Sequence, residues 1–123
     1  MKPDDGHIVY IVNPKCGASS SRPAGRQFRA YLQQKGFRVR YNLTSSLDHA
    51  CELAAGAADN RDCAMVVAVG GDGTIREVAH GLEGSGKPLL VVPCGTENLL
   101  ASELGFDEKV ETIIKTFEAG YVR

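Results

Sequence analysis

The spacing of apolar residues along the chain switches repeatedly between strand and helix periods. Residues 7–12 (HIVYIV) form a continuous, largely β-branched run ended by Asn13-Pro14, which predicts a buried strand. A loop rich in Gly and Ser follows over residues 15–23. Ala24, Phe28, Tyr31 and Leu32 then recur at helical spacing, and Gly36 stands where a helix C-terminus favours glycine. Residues 37–43 alternate apolar and polar, as a strand near a sheet edge does. Leu47, Ala50, Cys51, Ala54 and Ala58 make one helical stripe, with Ser45 or Ser46 as its cap. Residues 64–69 (AMVVAV) are the most apolar segment and predict a central parallel strand. Residues 70–74 read as a turn, and Ile75, Val78, Ala79 and Leu82 as the next helical face. After a turn at 84–88, residues 89–92 (LLVV) predict another buried strand. A turn at 93–96 leads to a short helix with Leu100, Ala101 and Leu104, ended by Gly105. Val110, Ile113, Ile114 and Phe117 mark a last amphipathic helix.

Alternating strands and helices with apolar strands predict an α/β fold: a three-layer, doubly wound parallel sheet of about four strands, helices on both faces. Right-handed crossovers favour the strand order 2-1-3-4. The chain reads as one domain over residues 1–123, with no internal repeat. Apolar residues are 43% and charged residues 24% of the chain, a globular composition that excludes disorder, collagen and coiled coil as whole-chain answers. No apolar run approaches the roughly 20 residues of a membrane span. Asp4 and Asp5 precede the first apolar stretch, so the N-terminus does not read as a secretory signal. A net charge of −1 argues against a generally basic nucleic-acid binder, and no nucleic-acid partner is expected. Charge is nevertheless segregated. Lys15, Arg22, Arg26, Arg29, Lys35, Arg38 and Arg40 fall in residues 15–47, which contain no acid. The plain reading is a solvated helix face and strand edge; the sharper one is a field attracting an anionic ligand or surface. Cys16, Cys51, Cys63 and Cys94 lack metal-binding spacing and a paired His cluster, and read as reduced, cytosolic thiols rather than zinc ligands.

Ligands in an open parallel sheet bind at the carboxyl ends of the strands. Three of the loops expected there have unusual composition: Asn13-Pro14-Lys15-Cys16-Gly17, Gly70-Gly71-Asp72-Gly73-Thr74, and Pro93-Cys94-Gly95-Thr96-Glu97-Asn98. Small residues let backbone N–H groups approach a phosphate, and the following helix N-terminus adds a favourable dipole. Each loop alone has a plain explanation: a tight connection, an Asn-Pro turn, or Thr96 and Asn98 capping a helix. Together at one sheet edge they point to a phosphate or nucleotide site. Two familiar motifs fail. Residues 81–87 have Walker-A spacing, but Pro88 replaces the required Ser or Thr and the segment runs from helix to strand. No complete dinucleotide-binding glycine fingerprint is present either. Asp72, inside a phosphate-binding turn, reads either as the cap of the next helix or as a group that orients a Mg²⁺–nucleotide complex. Glu77 reads as a favourable early-helix acid or as support for the same network.

These residues resemble the first domain of the diacylglycerol kinase catalytic family, which includes sphingosine kinases and bacterial lipid kinases. The resemblance runs from Ile8 to Arg123. It rests on Asn13-Pro14-Lys15-Cys16-Gly17, on Thr44 followed by His49-Ala50, on Gly70–Thr74 continuing to Glu77-Val78 and Gly81-Leu82, and on Pro93 to Asn98 with Ala101. The chain departs from the family pattern at Arg76, at His80 and at Glu97, where Asn, Asn and Gly are usual. Arg76 and Glu97 change charge beside the implied phosphates. Gly-Gly-Asp-Gly-Thr also occurs in NAD kinases; Glu77-Val78 and Gly95-Thr96-x-Asn98 favour the lipid-kinase branch.

The resemblance implies ATP and Mg²⁺ as ligands and transfer of the γ-phosphoryl to a lipid hydroxyl. It implies that Asn13, Pro14, Lys15, Gly17 and Thr44 border the nucleotide, and that Gly70, Gly71, Asp72, Gly73 and Thr74 hold phosphates. Asp72 would be the catalytic organiser, with Glu77, Gly95, Thr96 and Asn98 in support. Family members continue into a β-rich second domain that carries the lipid site and the general base. The chain is therefore expected to be a fragment, inactive alone, belonging to a cytoplasmic enzyme with peripheral membrane contact. The alternatives are an NAD kinase-type domain and a stand-alone, non-catalytic nucleotide-binding module.

Overall fold

The two most apolar segments lie side by side at the centre of one sheet. The structure, a computed structural model, describes residues 1–15, 21–93 and 110–120. Cys16, Gly17, Cys94, Gly95, Thr96, Glu97, Asn98, the side chain of Ala24 and the expected short helix of Leu100, Ala101 and Leu104 lie outside the described residues. Strand β1 (His7–Val12) pairs in parallel with β2 (Val39–Leu43) on one side and β3 (Cys63–Gly70) on the other, and β3 pairs with β4 (Leu89–Pro93). The order is β2-β1-β3-β4, as expected. Every residue of β1 and β4 is buried, as strands covered on both faces require.

Helix α1 (Ser21–Gln34) shares one face of the sheet with α4 (Val110–Ala119). Helices α2 (Leu47–Asp59) and α3 (Asp72–Gly81) pack together on the other. The first face is closed by rings. Phe117 of α4 meets Phe28, Tyr31 and Phe37 edge-on at 5.6, 6.4 and 5.6 Å, and the Tyr31 hydroxyl donates to Glu118 at 2.7 Å. This packing explains why β2 starts two residues later than the alternation suggests. Phe37 is not the first strand residue; its N–H donates to the Leu32 carbonyl, and its ring is buried under α4. Gly36, with φ +93°, makes the left-handed turn after α1 that the sequence predicts.

On the second face the helical stripe of α3 is rotated from the expected one. Thr74, Ile75 and Val78 are buried within α3 and Leu82 just beyond it, whereas Ala79 is exposed. Ile75, Val78 and Leu82 of the expected stripe are thus buried, and Thr74, which the sequence reading places in the turn, joins them on the helix. Ala50, Ala54 and Ala57 are the buried residues of α2. Their small side chains allow a close approach of α3. A Cβ on Gly81 would lie 2.5 Å from the Cys51 carbonyl oxygen and 2.7 Å from the Ala54 Cβ.

The basic run divides. Arg26, Lys35, Arg38 and Arg40 are exposed, as a solvated surface predicts, and Arg29 stacks over the Tyr41 ring at 4.2 Å. At the amino end of the sheet, His7 is buried and neither ring nitrogen has a hydrogen-bond partner among the described residues. Burial lowers its pKa below the usual 6.5. Arg40 and Arg38 push the same way, and Asp62 opposes them.

Two outcomes follow for stability. Gly81→Ala forces a methyl group against the backbone of α2, and overpacking of this kind costs about 1–3 kcal/mol; urea unfolding of the two proteins measures it. The unfolded chain accepts a proton on His7 near the ordinary histidine pKa and the fold resists it, so stability is full above that pKa and falls as pH drops through it. Thermal melting from roughly pH 7.5 to 5.5 should show a decline that His7→Phe flattens.

Candidate functional site

The sheet reverses its winding between β1 and β3. The chain leaves β1 toward α1 on one face and leaves β3 toward α3 on the other, which opens a crevice between adjacent strand ends. Asn13 sits at this point. Its backbone N–H donates to the Val69 carbonyl at 2.9 Å, extending the ladder by one rung. Its side chain then works in two directions: Oδ1 accepts the Lys15 N–H at 2.9 Å, and Nδ2 donates to Thr74 Oγ1 at 3.3 Å. One amide thus shapes the first loop and ties it to the start of α3. Thr44, directly after β2, joins the same edge through its N–H to the Val12 carbonyl at 2.9 Å, and it is buried. Between these groups lies a cleft of about 150 Å³ lined by Asn13, Pro14, Lys15, Thr44, Thr74 and residues 45–47.

The glycine-rich segment is shorter as a turn than the sequence suggests. Gly70 ends β3 and Gly71 alone connects it to α3; Asp72, Gly73 and Thr74 form the first turn of the helix. The N-cap is Gly71, in extended conformation and without a side chain to cap the helix, so the reading of Asp72 as the cap does not hold. Asp72 is the first helical residue and is half-buried. The amide dipoles of α3 therefore end at the carboxyl edge of the sheet with no N-cap side chain over them. The glycines serve different ends. A Cβ on Gly70 would stand 2.7 Å from the Thr74 Cβ, so Gly70 makes room for the threonine that Asn13 grips. A Cβ on Gly73 would meet Leu47 Cδ2 at 3.3 Å.

Of the residues singled out in the sequence, Asn13, Pro14, Lys15, Thr44 and Thr74 meet at the cleft. Gly70 at the end of β3, Gly71 as the N-cap and Asp72 and Gly73 in the first turn of α3 lead up to Thr74. Glu77 is half-buried one turn further along α3 and does not line the cleft. Sequence reasoning missed the wall made by residues 45–47. Ser46 is indeed the α2 cap, its Oγ accepting the His49 N–H at 3.1 Å. Leu47 belongs to the cleft rather than to the core stripe and is 51% exposed. The signal was its place at the first helical position, where a side chain leans back over the helix start. The Walker-like segment is far from this edge: Lys87 Nζ donates to the Cys63 carbonyl at the amino end of β3. Cys51 and Cys63 are free thiols. Among the described residues no group of three His, Cys, Asp or Glu could hold a metal by itself, and no helix is long and apolar enough to cross a membrane.

Comparison with known proteins agrees with this geometry. The family model for the diacylglycerol kinase catalytic domain matches residues 7–123. A diacylglycerol kinase from Bacillus subtilis is 35% identical over 107 residues, covering 85% of this chain and 34% of that enzyme. An NAD kinase from Nitratidesulfovibrio vulgaris is 34% identical over 91 residues, covering 74% of this chain and 30% of that one. The chain thus spans about a third of the length of these relatives. The crystal structure of a diacylglycerol kinase from Bacillus anthracis superposes with a TM-score of 0.70 at 22% identity, over 90% of this chain and 41% of that one, which shows a shared fold. A parallel sheet ordered 2-1-3-4, the glycine-rich entry to α3 and the match across residues 7–123 lead to one conclusion: the chain belongs to the diacylglycerol kinase catalytic domain family.

Proposed function

We propose that this chain is the nucleotide-binding domain of a lipid kinase that, at full length, transfers the γ-phosphoryl of MgATP to a lipid hydroxyl of diacylglycerol or sphingoid type. The observation that carries the reading is the Asn13–Thr74 hydrogen bond, which closes a cleft at the uncapped positive end of α3. Asn13, Pro14, Lys15 and Thr44 would border the nucleotide, and Gly17, Gly95, Thr96 and Asn98 would complete its surroundings. The backbone amides of Gly71, Asp72 and Gly73 would hold phosphate oxygens, and Lys15 would add positive charge. A pocket enclosing a whole small molecule has about 300–1,000 Å³, so the cleft fits a portion of the nucleotide.

The donor set also suits Mg²⁺ in the manner of phosphoryl-transfer sites, where one or two carboxylates share the ion with phosphates. Asp72 would supply the carboxylate and Glu77 would support it. When bound, the ion offsets charge on the transferring phosphoryl, while the residues position it. The lipid site and general base would come from the β-rich domain typical of the family, with the enzyme cytoplasmic and peripheral at the membrane. The NAD kinase relative motivates a second reading, in which another nucleotide replaces the lipid as acceptor. Acceptor assays on a full-length enzyme carrying this domain, with diacylglycerol, sphingosine and NAD in parallel, separate the two.

The first test is nucleotide binding by the chain itself. Gly73→Val places a branched side chain at the mouth of α3 and against Leu47, whose flexible end can yield. MgATP affinity measured by calorimetry should fall at least about tenfold while the melting temperature changes little, because helix propensity alone differs by under about 1 kcal/mol between these residues. Unchanged affinity in the folded variant would remove the phosphate-loop assignment. The second test is Asp72→Asn in a full-length kinase. If the carboxylate organises the metal and phosphates, turnover should drop by far more than about tenfold, since one lost transition-state contact costs several kcal/mol. Loss of a first-turn charge by itself costs only about 0.3–1 kcal/mol of stability. Full activity in a stable variant would reduce Asp72 to a helix-start acid.

A further inference from the structure

His49 is joined to the cleft by hydrogen bonds but does not line it. It occupies the third position of α2, and its own N–H donates to the Ser46 cap. Its ring reaches the other way. Nδ1 stands 3.0 Å from the Ser45 backbone nitrogen and 3.2 Å from Ser45 Oγ. An N–H can bond only to an acceptor, so Nδ1 carries a lone pair and the ring proton resides on Nε2. A capping box would bond the N–H of the cap itself; here the imidazole instead accepts from Ser45, the residue before the cap. The segment it fixes, residues 45–47, forms one wall of the cleft. That wall ends in the exposed Leu47 side chain, which a Cβ on Gly73 at the start of α3 would meet at 3.3 Å.

We infer that His49 is a positioning residue for nucleotide binding: through its Nδ1 lone pair it holds residues 45–47 in the one arrangement that leaves the cleft between Thr44 and Thr74 open. The inference rests on the nucleotide reading of the cleft. It requires an acceptor at the Nδ1 position and nothing more of the ring. Asn places its side-chain oxygen there, whereas Gln carries its oxygen one bond further out, and Ala has none.

The experiment compares MgATP affinity and melting temperature for the full chain and for His49→Asn, His49→Gln and His49→Ala. Losing one such hydrogen bond should weaken MgATP binding by about tenfold in the Ala and Gln variants, and Asn should recover it to within about threefold. A merely structural cap would shift the melting temperatures without that Asn-over-Gln order in affinity, and equal affinities across the series overturn the inference. Long-range proton–nitrogen spectra of the His49 ring give a readout that needs no nucleotide: a protonated Nε2 and a bare Nδ1 are expected, and a proton on Nδ1 also overturns it. If the wild type binds no MgATP, the nucleotide reading falls, while the ring spectrum still decides whether His49 holds the wall.

Discussion

Everything at the carboxyl edge depends on β1 being gripped from both sides. It is the strand at which the winding of the sheet reverses, and each of its residues is buried. Its ladder to β3 is carried one residue past the strand by Asn13, at the point where the two chains must part to opposite faces. A side chain at a diverging point can face both loops, and a short amide can donate to one and accept from the other. Asp would bridge the same two groups only by accepting from both, with the Thr74 hydroxyl as donor, and would add a negative charge to the edge. The chemistry of the edge is therefore set by a backbone constraint: two neighbouring strands leave in opposite directions, and one residue bridges the gap.

Much of this was legible in the sequence. The strands at 7–12, 64–69 and 89–92 announce themselves because burial on both faces demands uninterrupted apolar runs, and the order 2-1-3-4 follows from handedness once those strands are placed. Asn13, Lys15 and Thr74 could be proposed together because they fall in strand–helix connections expected at one sheet edge, and Thr44 is added by the family resemblance. What failed did so for tertiary reasons. Phe37 continues an alternating pattern, yet it is pulled from the strand to cover Phe117 of a helix more than 70 residues later. Ala79 is apolar and well spaced, yet it is exposed, and Thr74 is buried with Ile75 and Val78 instead. No local periodicity encodes either partner.

The glycine-rich segment shows how composition conceals several demands under one motif. Gly70 is small because Thr74 occupies the space its side chain would need, and Gly71 leaves the helix start without a side-chain cap. The sequence reading takes both as small residues that let amides approach a phosphate, and neither has a positive φ. Their smallness matters more than their freedom. The same holds for Gly81, whose missing side chain lets α2 approach α3 to backbone distance.

That close approach governs how the cleft can deform. Residues 45–47 begin α2 and Thr74 lies in the first turn of α3, so two sides of the cleft belong to helices that meet without spare volume at Gly81 and Ala54. These sides are coupled through the contact between α2 and α3 at Gly81, about two helical turns along α3 from Thr74. On the opposite side are Asn13 to Lys15, directly after β1, which the Asn13–Thr74 amide–hydroxyl bond ties to α3 among the described residues. The spacing between Leu47 and Thr74 is therefore set where α2 and α3 meet, at a contact that is no part of the cleft lining.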